Sequence, residues 1–205
     1  GFAAIAPTDI LDEDGSLALP VRNGKHLKED FVGSHFKNYN NFMVLSHFKG
    51  HAMGGFGGAL KNLSIGIGSA EGKMWIHTAG KVKTLGDFGP ATQTPQDDFL
   101  ESMAEAAGAV MDFMGDKVVY INVMNKLSVD CDCDNNPAPP TMKDIAILAS
   151  LDPVALDQAC VDLVYKAGDG KDLIERMESR HGIHILEHAA ALELGNRAYE
   201  IVSLD

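Results

Sequence analysis

The chain has 205 residues, of which 45% are hydrophobic and 22% charged, the composition of a folded globular chain and not of a disordered one. Its net charge of −12 repels phosphate backbones and argues against nucleic acid as a partner. No apolar run approaches the roughly 20 residues that span a bilayer, which argues against a membrane. Three cysteines are too few for a disulfide framework and suit a reducing cytoplasm. The length fits a single domain over residues 1–205. An opening of Gly1-Phe2-Ala3-Ala4-Ile5 with no initiator Met has the character of the middle of a domain, so a fragment of a longer protein is expected.

In chain order, Phe2–Ile5 and Leu17–Val21 are strand-like and are separated by the turn signal Asp12-Glu13-Asp14-Gly15. Asn41–Ser46 is a short apolar run expected to be a buried strand. It delivers Ser46 and His47 to a loop, the usual place for functional side chains. Eight glycines follow between Gly50 and Gly72, so this backbone must bend sharply or approach something closely. Residues 84–97, with Pro90 and Pro95, are expected to form a surface linker. Phe99, Met103, Ala106, Val110 and Met114 recur at helical spacing, which predicts a helix over 98–114. Lys117–Val123 is a β-branched strand, and Ile145–Ala149 is a second strand, expected to be buried. Asp152-Pro153 supplies an N-cap and a first-turn proline for the next helix, whose buried face is Leu156, Ala159, Cys160, Leu163 and Val164. Shorter helices are expected near 171–180 and 184–194, then a last strand over Ala198–Leu204. Alternating strands and helices in the second half predict an α/β fold, a single mixed sheet with flanking helices.

Four groups of residues carry chemistry. The glycine segment is not a nucleotide cradle, because Gly58-Ala59-Leu60-Lys61 lacks the Gly-Lys-Ser/Thr of a P-loop and no Gly-x-Gly-x-x-Gly is completed; an anion nest stays open. His47 and His51, four apart just before it, can contact a metal or a substrate. Cys131 and Cys133 offer two thiolates to a soft metal such as iron or zinc, with His47, His51 or His77 completing the set through the fold. The alternatives are two ordinary loop thiols, or a calcium loop on Asp130, Asp132 and Asp134 that lacks its glycine and its twelfth-position Glu. His184-Ile185-Leu186-Glu187-His188 matches the inverted zinc-peptidase pattern His-x-x-Glu-His, but has no evident third ligand and is equally a solvated helix face.

Leu45-Ser46-His47-Phe48-Lys49-Gly50-His51 and Gly54-Gly55-Phe56-Gly57-Gly58-Ala59-Leu60-Lys61-Asn62 resemble the signature of the domain of unknown function 362, whose members are often called iron–sulphur centre proteins. Cys131-Asp132-Cys133 and Ser150-Leu151-Asp152-Pro153-Val154-Ala155-Leu156-Asp157 are similar to two further blocks of that family. The resemblance implies the C-terminal part of a larger α/β fold, preceded by a further α/β segment. It also implies an association with redox chemistry and a ferredoxin-type partner. Relatives often carry a ferredoxin insert where this chain has the cysteine-free 84–97 stretch, and three cysteines cannot build an intrachain four-cysteine cluster. His51, the paired glycines and Lys61 also resemble a segment of nickel-pincer lactate racemases, where a lysine tethers the cofactor.

The resulting expectation is a cytoplasmic, redox-associated metal-binding protein. Its ligands would be His47, His51, Cys131 and Cys133. A small anionic ligand would meet His47, Lys49, His51, Gly57, Gly58, Lys61 and Asn62, with Lys49 and Lys61 as candidate catalytic groups. The alternatives are a non-catalytic anion- or partner-binding module and an isomerase or racemase with a lysine-tethered cofactor.

Overall fold

A computed structural model describes residues 1–84 and 89–204. Its centre is a mixed three-stranded sheet in the order β3–β6–β7, where β3 is Phe42–His47, β6 is Val118–Met124 and β7 is Ala146–Ser150. β3 and β6 run parallel with Val44 opposite Tyr120 and Ser46 opposite Asn122. β7 is antiparallel to β6. Because side chains alternate along a strand, Val44, Ser46, Val118, Tyr120, Asn122 and Met124 fall on one buried face. The other face leaves Met43, Leu45 and Ile147 exposed.

Two two-stranded sheets flank this centre. β1 (Ser16–Pro20) pairs antiparallel with β2 (Glu29–Gly33), and β4 (Lys49–His51) pairs antiparallel with β5 (Gly55–Gly57). The crossover from β3 to β6 holds β4, β5, α1 (Ala59–Lys61), α2 (Ala70–His77), α3 (Gly89–Thr92) and α4 (Gln96–Met114). A π-helical turn over Asn62–Gly66 continues α1. Among the described residues, three more helices follow β7: α5 (Pro153–Lys166), α6 (Lys171–Ser179) and α7 (His184–Ala191).

Local chemistry explains the main elements. α4 buries Leu100, Met103, Ala104, Ala106, Ala107 and Val110, each large side chain stabilising by roughly 1.5–3 kcal/mol. It opens with Asp97 and Asp98 in its first turn, where the helix dipole favours negative charge. It ends at Gly115, whose φ of 61° costs glycine nothing. α5 starts as its cap predicts: the Asp152 carboxylate accepts from the N–H groups of Val154 at 2.8 Å and Ala155 at 3.0 Å. Inside, the fully buried Asp157 carboxylate accepts from the Ala59 N–H at 2.8 Å, the Leu60 N–H at 2.9 Å and the Asn122 amide at 2.7 Å. It therefore joins α5 to the start of α1 and to the central strand.

Four expectations change. Phe2–Ala4 is a 3₁₀ turn, not a strand. Residues 198–204 form no strand; Tyr199 fixes this tail by donating its hydroxyl to Asp162 at 2.6 Å. β7 is not buried, because it is the sheet's edge and Ile147 is 71% exposed. Leu163 is only partly buried, although Leu156 and Ala159 on the same helix are core. The expected linker over 84–97 falls in part on residues 85–88, outside the described residues; the rest holds α3 and the first residues of α4.

Candidate functional site

β3 and β6 are parallel neighbours, so the loops after their C-terminal ends open on the same side, where open α/β sheets bind their ligands. One of these loops becomes the β4–β5 hairpin. The other, 125–145, carries the Cys131-Asp132-Cys133 motif. Gly50 lets them touch: its N–H donates to the Ser128 carbonyl at 2.7 Å, and a Cβ there would lie 2.2 Å from the Val129 carbonyl oxygen. Arg176 of α6 ties the cysteine loop from the far side, donating to the Val129 carbonyl at 2.8 Å and the Asp130 carboxylate at 3.3 Å.

These contacts bring together a ring nitrogen of His51 and the sulfurs of Cys131 and Cys133, all within 4.8 Å of one another. His51 and Cys131 are buried and Cys133 is exposed, so the group opens to solvent on the Cys133 side. Burial, helped by Lys61, His77, Lys49 and Arg176, pushes the His51 imidazole down to about 3, so it is neutral throughout the physiological range. The Gly54 N–H donates to its Nδ1 at 2.8 Å, which places the proton of the neutral ring on Nε2.

The two thiols differ. Burial raises Cys131, but this is outweighed by hydrogen bonds from the Cys133 thiol and N–H and by the charges of Lys61 and Lys49, so its thiol is held below the ordinary value. The Cys133 N–H lies 3.4 Å and the Lys61 Nζ 3.5 Å from the Cys131 sulfur. Burial and the Cys131 thiolate push Cys133 up. A thiol held low beside a cation, next to a second thiol held high, is an arrangement that favours nucleophilic or metal-ligating sulfur.

The remaining expected residues divide. His47 lies beside the group but outside it: Nδ1 is 2.9 Å from Asp132 and Nε2 2.7 Å from the Asn125 carbonyl, so both nitrogens are taken. Lys49 reaches Asp132 at 3.1 Å. Burial pushes the Asp132 carboxyl up, but His47 and Lys49 outweigh it and hold it below the usual carboxylate range. Gly57 lies between the two lysines, a Cβ there meeting Lys61 Cδ at 3.5 Å and Lys49 Cε at 3.9 Å. Gly58 instead packs on Asp157, and Asn62 spends its amide on the Leu45 carbonyl at 3.2 Å and the Ser46 hydroxyl at 3.0 Å. Both shape the loop from behind. Arg176 carries no signal in sequence, because its role exists only once distant segments meet, and the Gly54 N–H acts through the local turn of the hairpin, which residue type does not show.

Cys160 is fully buried on α5, with the Asn122 amide 3.4 Å from its sulfur, and burial pushes its thiol far up. A four-cysteine iron–sulphur cluster therefore does not fit these residues. A single soft metal ion fits better, since a neutral imidazole and two sulfurs already converge. A cleft of about 930 Å³ lies elsewhere, between β7, α5 and the 199–204 tail, and is lined by no histidine or cysteine; the chemistry favours the thiol site.

No curated protein and no solved structure matches the chain. A family model described as a domain of unknown function (DUF362) matches residues 1–162. That span holds β3, the hairpin, the cysteine loop and Asp157, every part of the site except Arg176, and the chain belongs to the DUF362 family.

Proposed function

We propose that the chain is a metal-binding protein in which His51, Cys131 and Cys133 hold one soft divalent ion, iron or zinc, and that Lys49 and Lys61 draw a small anionic ligand to its open side. The observation that carries this reading is the convergence of three ligand atoms within 4.8 Å from segments eighty residues apart in sequence. Three protein ligands with an open position are the pattern of sites that act on a bound molecule, whereas structural zinc sites are closed by four. Lys61 is engaged with the Cys131 sulfur, which supports an electrostatic role for it over that of a cofactor tether. Free thiols of this kind suit a reducing cytoplasm. The test is elemental analysis of protein purified without oxygen. About one iron or zinc per chain is expected, lost in His51→Ala and in the Cys131→Ser/Cys133→Ser double variant. Wild-type protein that stays metal-free after reconstitution would rule the reading out.

One observation favours a second reading. With Nδ1 occupied by the Gly54 N–H, His51 presents Nε2–H, a proton donor, and a metal could use that nitrogen only after the proton left. As a donor, His51 would serve a dithiol that cycles to a disulfide: Cys131 and Cys133 give up two protons and two electrons, the electrons passing to an external acceptor such as a ferredoxin-type partner. Mild oxidation would then remove two of the three free thiols with a mass loss of two hydrogens per chain. A metal-loaded protein whose thiols resist oxidation argues for the first reading instead.

A further inference from the structure

A second group of metal-ligating side chains gathers on the other side of α4, beyond the family-matched residues for its histidine half. Asp97 and Glu101, four apart, and Asp98 beside them sit on the first turns of α4. Against them pack α7 and the turn before it, bringing His181 and His184. His181 Nδ1 is 2.7 Å from Asp97, and His184 Nε2 is 3.2 Å from Glu101. The two imidazoles stack at 5.0 Å, 14° from parallel. Ligand atoms of Asp97, His181 and His184 all lie within 4.8 Å of one another. Two donors bound to one zinc at about 2.0–2.2 Å stand roughly 3.3 Å apart, so only small side-chain movements separate this group from a coordination shell.

We propose that Asp97, His181 and His184, with Glu101 as a fourth ligand, form a second divalent-metal site. Imidazole and carboxylate donors without sulfur suit zinc, nickel, cobalt(II) or copper(II). Glu101 is prepared for this. It is 7% exposed, and Lys25 and His26 bind its other oxygen at 2.7 and 2.5 Å. That leaves Oε1, the oxygen His184 already faces, as the one directed to the site. Asp97 and His181 are about half exposed, so an ion can enter from solvent.

The site is not the peptidase pattern seen in the sequence. His188 places Nε2 3.3 Å from Glu105 and only its Nδ1 4.0 Å from Glu101, and Glu187 sits behind the group, 3.4 Å from His184 Nδ1 and 3.5 Å from Arg197. His184 instead joins His181, which no spacing rule selects. An ion here would clamp the 180–184 turn to α4, and that turn backs the His51 hairpin. Gln96 donates to both the Met53 and Arg180 carbonyls at 2.8 Å, and a Cβ on Gly182 would lie 3.1 Å from the Gly54 carbonyl oxygen. The site itself does not depend on the thiol site being metal-loaded.

The test uses the full chain carrying Cys131→Ser and Cys133→Ser, which removes the sulfur donors, and titrates it with cobalt(II) and zinc by calorimetry and visible absorption. One ion per chain is expected, with a cobalt spectrum lacking thiolate charge-transfer bands and a raised thermal midpoint. His181→Ala/His184→Ala on that background should weaken binding at least about tenfold, while His188→Ala, outside the shell, should not. An affinity weaker than about millimolar, the level of scattered surface side chains, or full binding by the His181/His184 variant would overturn the proposal. So would a zinc affinity that falls as far in His188→Ala.

Discussion

Asp30 should make the protein less stable as the pH rises. It sits on β2 opposite Leu19, fully buried, and neither carboxylate oxygen has a hydrogen-bond partner among the described residues. Burial pushes its carboxyl up to about 7 from 3.8. A carboxyl raised in the folded state favours the protonated form, so its contribution is complete below about pH 4 and is lost as the pH climbs through about 7. Three pH units at 1.36 kcal/mol each give a full effect of about 4 kcal/mol. Between one and two of these are already gone by about pH 5, leaving about 3 kcal/mol between there and about pH 8.5. Asp30→Asn has the shape of the protonated acid and cannot ionise. It should match the wild type below about pH 4, exceed it by between one and two kcal/mol near pH 5 and by about 4 kcal/mol near pH 8.5, read from urea-unfolding midpoints at each pH. Parallel stability curves for the two proteins across that range would refute the argument, because they would mean that Asp30 carries no penalty for its charge.

Three further perturbations probe the scaffold and the thiol. Asp157→Ala strands the N–H groups of Ala59 and Leu60 and the Asn122 amide. At about 1–3 kcal/mol per unsatisfied buried group, it should cost roughly 3–9 kcal/mol in urea unfolding, and a loss under about 1 kcal/mol would show that the three donors find other partners. Gly58→Ala would place a Cβ 2.3 Å from Asp157 Oδ1; a cost of about 1–3 kcal/mol is expected in the same assay, and none at all would mean that the loop is free to move. Lys61→Met removes the cation 3.5 Å from Cys131, so the thiol should titrate higher and alkylate more slowly at neutral pH; an unchanged iodoacetamide rate would show that Lys61 does not set its reactivity.

The parts of the fold that sequence exposes are those whose causes are local. The four-residue apolar recurrence of α4, the Asp152-Pro153 start of α5 and the β-branched run of β6 each carry their own signal, and the elements stand within two residues of expectation. β2 and α2 carry none as clear. Glu29-Asp30-Phe31-Val32-Gly33 alternates poorly, and Gly72 interrupts the helical pattern of Ala70–His77. That glycine is there because a Cβ would lie 1.9 Å from the Phe31 carbonyl oxygen, a tertiary demand invisible in the local pattern. Residues 198–204 are apolar enough for a strand, but among the described residues the exposed edge β7 takes no further partner, and the tail is instead fixed through Tyr199.

The site divides along the same line. Residue type alone nominates His51, Cys131 and Cys133, because only imidazole and thiolate suit a soft metal. It nominates His47 equally, and nothing in the pair's spacing separates the two. What separates them is strand position. His47 is the last residue of β3, and its ring turns to the Asn125 carbonyl and Asp132 at the rim. His51 is carried a further hairpin strand inward, beneath the cysteine loop. The convergence of His51 with the thiols then rests on one glycine and one arginine. Gly50 allows backbone to meet backbone at Ser128, and Arg176 holds the loop down from α6. The same approach explains why the cations matter in a chain of net charge −12. The long-range field is negative and screened within about 8 Å at physiological salt, so it neither draws in an anion nor favours a thiolate. Lys61 and Lys49 reverse that balance only at short range, by standing beside the sulfur and Asp132 they stabilise. The chemistry of this site is therefore a property of side-chain distances of 3–4 Å, which the fold creates by seating two loops at the ends of adjacent parallel strands.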